Sequence, residues 1–268
     1  MDIETLNTDG ITIRYFRFGN EYGQPFIVIP GISLRSVIDS ADFTARHYKA
    51  LAESFSVYVF DRREDMPEEY SIYDMADDTA KAMDALGLKD AVIYGVSQGG
   101  MIAQAISIRR PELVSRLALC STAPYIPEQA CDILASWAEN TEKNDRTELM
   151  LVFAESVYST DYCERYKKVF PMFSKLLTER DLERFIITVK GSRGFDVREK
   201  LCCIKCPLLV IAGDKDRIFG AEASRELAEL ANGELCIYPG QAHALYDEEP
   251  DVIRRIKDFA LNVMAKCQ

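Results

Sequence analysis

Ala91-Val92-Ile93-Tyr94-Gly95-Val96-Ser97-Gln98-Gly99-Gly100-Met101-Ile102-Ala103-Gln104 is the stretch that decides how this chain is read. A short apolar strand runs into Gly-x-Ser-x-Gly, and an apolar helical stretch follows at once. This order predicts a strand–turn–helix in which a serine is held at the tip of a strained bend, its hydroxyl exposed above a sheet. Side chains at Gly95 or Gly99 would collide with the neighbouring strand or helix in so tight a turn. The helix opening at Ser97 aims free backbone N–H groups and the positive end of its dipole at any anion formed near the hydroxyl. Ser97 is therefore the candidate nucleophile. Two other glycine-loop chemistries are excluded, because neither Gly-x-x-x-x-Gly-Lys-Ser/Thr nor a helix-opening Gly-x-Gly-x-x-Gly occurs.

Outward from this stretch, strands and helices alternate, which predicts a largely parallel sheet with helices on both faces. Residues 2–7 and 11–18 read as a hairpin about Asp9-Gly10. Strands are expected at 26–30, 56–60, 91–95, 113–119, 207–212 and 234–238. Helices are expected at 41–54, 72–86 (stopped by Gly87), 97–110, 221–231 and 250–265. Between 124 and 200 the strand signal vanishes and helical spacings take over, as in Leu149, Val152, Phe153 and Val157. The expected organisation is thus a core of residues 1–123 and 201–268 with a helical lid at 124–200, placed over the sheet edge where open α/β sheets carry their sites.

A serine hydroxyl needs an adjacent base, and histidine is the natural one near neutral pH. The chain has two histidines. His47 falls within an early helix. His243 falls in Gly240-Gln241-Ala242-His243-Ala244, a loop between the last strand and the last helix, and is the better placed. The imidazole needs a carboxylate to fix its tautomer. Strand 207–212 empties into Gly213-Asp214-Lys215-Asp216, so Asp214 and Asp216 both qualify, in the order Ser…Asp…His that suits a serine on such an elbow. An oxyanion needs preorganised donors. The backbone N–H of Gln98 and that of Ile32, beyond Gly31 in the loop after strand 26–30, are the candidates.

At 268 residues the chain suits one α/β domain with an insertion. Its 48% hydrophobic and 28% charged content is ordinary for a soluble protein, and a net charge of −11 argues against nucleic acid or anionic membrane as partner. The expected partner is a small-molecule substrate; the oligomeric state is not legible. Met1-Asp2-Ile3-Glu4-Thr5 does not read as a signal peptide, and the apolar runs are too short to span a bilayer, so a cytoplasmic protein is expected. Eight irregularly spaced cysteines fit reduced thiols. The Cys203-Ile204-Lys205-Cys206 pair lacks a second ligand pair nearby and leads into a strand, so no metal site is expected.

Taken together, Pro30-Gly31, Gly95-Val96-Ser97-Gln98-Gly99-Gly100, Arg110-Pro111-Glu112-Leu113-Val114, Pro207-Leu208-Leu209-Val210-Ile211-Ala212-Gly213-Asp214-Lys215-Asp216 and Gly240-Gln241-Ala242-His243 resemble the α/β-hydrolase fold family, in its small lid-bearing esterase and lactonase branch. The resemblance covers nearly the whole chain. It implies a mostly parallel eight-stranded sheet flanked by helices, no cofactor, and Asp216 as the triad acid, because the family's Gly-x-x-Asp pattern falls there. Two positions depart from it. Pro30 replaces the usual histidine before Gly31, and Glu64 replaces the glycine of Asp-x-Arg-Gly, which predicts a different loop path at the pocket rim.

The expected chemistry is hydrolysis of a carboxylic ester or lactone of small to medium hydrophobic character through an acyl-enzyme on Ser97. Tyr125, Trp137, Phe153 and Tyr158, with Phe173, are the candidate substrate-binding side chains of the lid. The same scaffold also hosts carbon–carbon bond hydrolases of diketones and slow-turnover ligand sensors, which the residues alone do not separate from an esterase.

Overall fold

The computed structural model describes residues 1–262. Asp9 and Gly10, at φ 44° and 77°, make the tight turn between β1 (Ile3–Thr8) and β2 (Ile11–Gly19), pairing Thr8 with Ile11 in an antiparallel hairpin. The sheet continues through β3 (Gln24–Ile29), β4 (Phe55–Phe60), β5 (Ala91–Val96), β6 (Val114–Cys120), β7 (Leu208–Gly213) and β8 (Glu234–Tyr238). Its order is β1-β2-β4-β3-β5-β6-β7-β8, antiparallel where β2 joins β1 and β4 and parallel elsewhere. This is the mostly parallel sheet that the alternating pattern predicts, with the eight strands that the family resemblance implies.

Strands β5 and β7 are buried at every residue, as central parallel strands covered on both faces must be. Their side chains alternate between two cores. On β5, Ala91 and Ile93 enter one and Val92, Tyr94 and Val96 the other; on β3, Ile27 and Ile29 oppose Phe26 and Val28. The first core is closed by α2 (Ile72–Ala85), α3 (Gln98–Arg109) and α9 (Gly220–Leu230), through Met75, Met101 and Leu227. The second is closed by α1 (Ala41–His47) and α11 (Asp251–Ala260), through Ala41 and Ile256. A reciprocal Ser71–Asp74 capping box starts α2, and Gly87, at φ 68°, follows its end.

Two helices are shorter than expected. The stretch 41–54 is α1 followed by a single 3₁₀ turn at Lys49–Leu51. The last expected helix, 250–265, is α11, ending at Ala260. A short unexpected helix, α10 (Leu245–Glu248), precedes it and is separated from it because Glu249 precedes Pro250 and is driven into an extended conformation. The expected final turn beyond residue 262 lies outside the described residues.

Between β6 and β7 stand five consecutive helices: α4 (Glu128–Glu142), α5 (Arg146–Val157), α6 (Thr160–Tyr166), α7 (Phe170–Ser174) and α8 (Glu179–Gly191). Side-chain caps from Asp145, Ser159 and Thr178 start α5, α6 and α8. The two ends of the insertion are joined by a bridge between Tyr125 and Asp196. Among the described residues no helix is long and apolar enough to cross a membrane.

Candidate active site

Ser97 follows the last residue of β5 and sits at φ 53°, ψ −122°, a backbone conformation that a residue with a side chain holds only under local strain. Close contacts impose the bend. A Cβ on Gly99 would stand 2.0 Å from the Ile29 carbonyl oxygen, and one on Gly95 would stand 2.7 Å from Gly100 Cα. Ser97 caps α3 by position yet makes no side-chain capping bond, so its hydroxyl is not spent on the helix.

The loops after β7 and β8 lie against each other. A Cβ on Gly213 would meet the Gln241 carbonyl oxygen at 2.1 Å, and Lys215 N donates to that oxygen at 2.9 Å. In this contact Asp216 Oδ2 and His243 Nδ1 are 2.9 Å apart, with side chains 1% and 2% exposed. Asp216 Oδ1 accepts from the backbone N–H groups of Ile218 (2.8 Å) and Phe219 (3.1 Å). Burial alone would push this carboxyl up, but the imidazole and the two N–H donors outweigh burial and hold it below the ordinary carboxylate value. Among the described residues the imidazole's carboxylate partner is Asp216 and not Asp214. Asp214 Oδ1 accepts from Gly240 N at 2.7 Å and braces the turn that precedes His243.

Residues 120–122 tie serine and histidine to one short segment. Ser97 N donates to the Cys120 carbonyl (2.9 Å), and Thr122 Oγ1 donates to the Ser97 carbonyl (2.8 Å). Between them, Ser121 Oγ donates to the His243 carbonyl (2.6 Å). With Nδ1 held by Asp216, His243 has Nε2 left for a proton in transit.

The loop after β3 passes over the serine. A Cβ on Gly31 would lie 3.0 Å from Ser97 Cβ and 3.5 Å from its Oγ. Neither Ile32 N–H nor Gln98 N–H is consumed by a turn or loop bond among the described residues. The Gln98 side chain is buried, and its Nε2 donates to the Thr188 carbonyl (2.7 Å) and Ser192 Oγ (2.9 Å), fastening the elbow to α8. Beside it is a pocket of about 30 Å³ lined by Gly31, Ile32, Arg35, Arg62, Gln98 and Arg184, among others. Glu64 joins β2 to the insertion: it accepts from Arg14 Nε (2.5 Å) and Arg180 Nη2 (2.6 Å), and its own carbonyl accepts from Arg184.

Tyr125, Trp137, Phe153 and Tyr158 do not line that pocket. Trp137 packs on Phe153 (4.8 Å between centroids) and Phe185 (6.1 Å), inside the inserted helices. Tyr158 stacks on Tyr162 at 4.3 Å and donates to Asp247 Oδ2. Tyr125 lies under the Arg198 guanidinium at 4.2 Å and lines a separate cleft of about 730 Å³ with Val189 and Arg193. Phe173 is exposed. His47 is half-buried against Tyr48, and burial lowers its pKa. The sequence reading missed Ser121, Thr122 and Arg62. Ser121 and Thr122 lie one and two residues past Cys120, just beyond the expected strand 113–119 at the sheet's carboxyl edge, the one signal that marks them.

A family model described as the alpha/beta hydrolase family matches residues 26–256. Among curated relatives, a protein of Agrobacterium fabrum named "Putative carbamate hydrolase RutD" is 26% identical, covering 90% of this chain and 96% of its own. Among solved structures, MGS-M2, an alpha/beta hydrolase enzyme from a Medee basin deep-sea metagenome library, matches with a TM-score of 0.86 at 20% identity, covering 99% of both chains. The enol-lactonase of Burkholderia xenovorans LB400 matches with a TM-score of 0.82 at 23% identity, covering 96% of this chain and all of the other.

Proposed function

Because this chain belongs to the alpha/beta hydrolase family, we propose that it is a serine hydrolase that cleaves a carboxylic ester or lactone through an acyl-enzyme on Ser97. The observation that carries this reading is the buried Asp216–His243 pair, hydrogen-bonded at 2.9 Å and tied through residues 120–122 to the same segment as Ser97. The likeness to an enol-lactonase supports counting lactones within the substrate class.

His243 Nε2 takes the Ser97 proton as Oγ attacks the ester carbonyl carbon. The Ile32 and Gln98 N–H groups receive the developing oxyanion, where fixed donors in a dry site act without reorganising. His243 then delivers the proton to the leaving alcohol oxygen. In the second half it removes a proton from water, hydroxide attacks the acyl carbon, and Ser97 leaves reprotonated. Asp216 holds the imidazole tautomer throughout and balances its charge. The inserted helices act as the lid: α8 grips Gln98, and the carbonyl of Val157, at the end of α5, accepts from Ala244 N next to the histidine.

The test is labelling by a fluorophosphonate, read by intact mass, beside hydrolysis of short p-nitrophenyl esters by wild type and Ser97→Ala. A single adduct and turnover in wild type alone are expected. Equal labelling of Ser97→Ala, or no adduct on a folded wild type, would overturn the reading.

A further inference from the structure

Arg62 is the one buried lysine or arginine among the described residues, 7% exposed, and no carboxylate there lies within ion-pair distance of it. Its Nη2 donates to the Pro30 carbonyl (2.8 Å) and more distantly to Gln98 Oε1 (3.4 Å). Its Nε is buried with no acceptor. Burial draws its pKa down from the usual arginine range, as expected of a charge short of both water and a counter-ion. Buried charges are ordinarily paired, since the interior stabilises an isolated ion far less than water does.

The neighbouring acids do not remedy this. Asp61 attracts Arg62 electrostatically, but its Oδ2 accepts from Ser36 Oγ (2.6 Å) and Arg184 Nη2 (3.0 Å). Asp39 is taken by Arg35 at 2.7 Å. Asp181 is committed to capping α8 through Thr178. Arg35 and Arg184 therefore already have counter-ions, and Arg62 alone of the three pocket arginines does not. The pocket is next to the proposed chemistry, because Gly31, Ile32 and Gln98 also line it. Its space of about 30 Å³ compares with the roughly 10–15 Å³ one water requires. That admits a group of a few heavy atoms, such as a carboxylate.

We propose that the substrate carries an ionised carboxylate and that Arg62 receives it: the substrate class is a short ester or lactone bearing a free acid group. The inference rests on the serine-hydrolase reading above. A carboxylate supplies the counter-charge that the fold withholds and accepts charge-assisted hydrogen bonds from the guanidinium. Binding energy from this remote group also orients the scissile carbonyl toward Ile32 and Gln98.

The experiment compares monomethyl succinate, glutarate and adipate with methyl butyrate, valerate and hexanoate, matched in chain length, by proton release. In wild type the half-ester is expected to lead its neutral partner by at least about tenfold in kcat/KM at one length, through KM. Arg62→Gln should collapse that ratio to about one, and Arg62→Lys should restore part of it. Loss of both substrates in equal proportion would make Arg62 a brace for Pro30 and overturn the proposal. So would wild-type turnover without preference at any length, which leaves the hydrolase reading standing. Failure of every ester together with failure of fluorophosphonate labelling would overturn both. If Arg62→Gln does not fold, inhibition of p-nitrophenyl butyrate turnover in wild type reads the same site. Competition by glutarate and not by glutaramide supports the proposal; equal competition, or none, overturns it.

Discussion

Ser121 Oγ donates a 2.6 Å hydrogen bond to the main-chain carbonyl of His243, 122 positions away. Ser121 is fully buried, and its neighbours on either side hold Ser97. Replacing it with alanine strands a buried carbonyl, at a cost of about 1–3 kcal/mol, and frees the loop that presents the imidazole. Ser121→Ala is expected to lower Tm and to lower kcat by about tenfold while KM changes little. A KM effect without a kcat effect would place the bond outside the catalytic geometry.

Asp216 and Asp214 are two positions apart and do different things. On the proposed mechanism, Asp216→Asn puts an amide against Nδ1 and favours the wrong tautomer, so kcat should fall by about 10⁴-fold, the loss expected if Asp216 is the triad acid. Asp214→Asn weakens one bond to Gly240 N and should cost about 1 kcal/mol of stability, with activity within about tenfold of wild type. Steady-state kinetics on both variants decide it: a crippled Asp214→Asn beside an active Asp216→Asn would reverse the assignment.

The same carboxylate gives a signed pH dependence. Its folded-state pKa lies below its ordinary value, so it binds its proton less readily folded than unfolded. The stability it contributes is present above the ordinary carboxylate range and is lost as pH falls through and below it. Wild type should therefore lose more stability than Asp216→Asn between about pH 5 and pH 3 in denaturant melts. A constant difference across that range would mean that the carboxylate is not favoured by folding.

How much of this was legible in the chain follows from how local each feature is. The elbow could be read because a bend that brings Gly99 against Ile29 admits no side chain, and glycine in that register is visible in sequence. The helical spacing of Trp137 and Phe153 marks buried faces, but periodicity does not say whether a face meets other helices or a substrate, and Trp137 packs on Phe185. The residues alone could not choose between Asp214 and Asp216, since both end the same strand; the contact with His243 is made across two abutting loops. Arg62 was silent for a deeper reason: its distinguishing property is that no carboxylate among the described residues pairs with its guanidinium, although Asp61 adjoins it in the chain, and that exists only in three dimensions.

Gly99 and Gly31 separate folding from chemistry at one site. A Cβ on Gly99 would meet a backbone oxygen at 2.0 Å, and backbone at the centre of a sheet cannot retreat. Gly99→Ala should abolish soluble expression or lower Tm by well over 10 °C. A Cβ on Gly31 would meet Ser97 Cβ at 3.0 Å and the Val96 carbonyl at 3.2 Å, a few tenths of an ångström too close. That is small enough for the fold to absorb and large enough to shift Ser97 and the Ile32 N–H, the proposed nucleophile and oxyanion donor, together. Gly31→Ala should keep Tm within a few degrees of wild type and lose about 10²-fold in kcat, in line with displacing reacting groups by a fraction of an ångström to one ångström. Circular dichroism melts beside ester turnover measure both. Full activity in Gly31→Ala would show that this loop does not lie over the reacting serine, and would remove Ile32 from the oxyanion site.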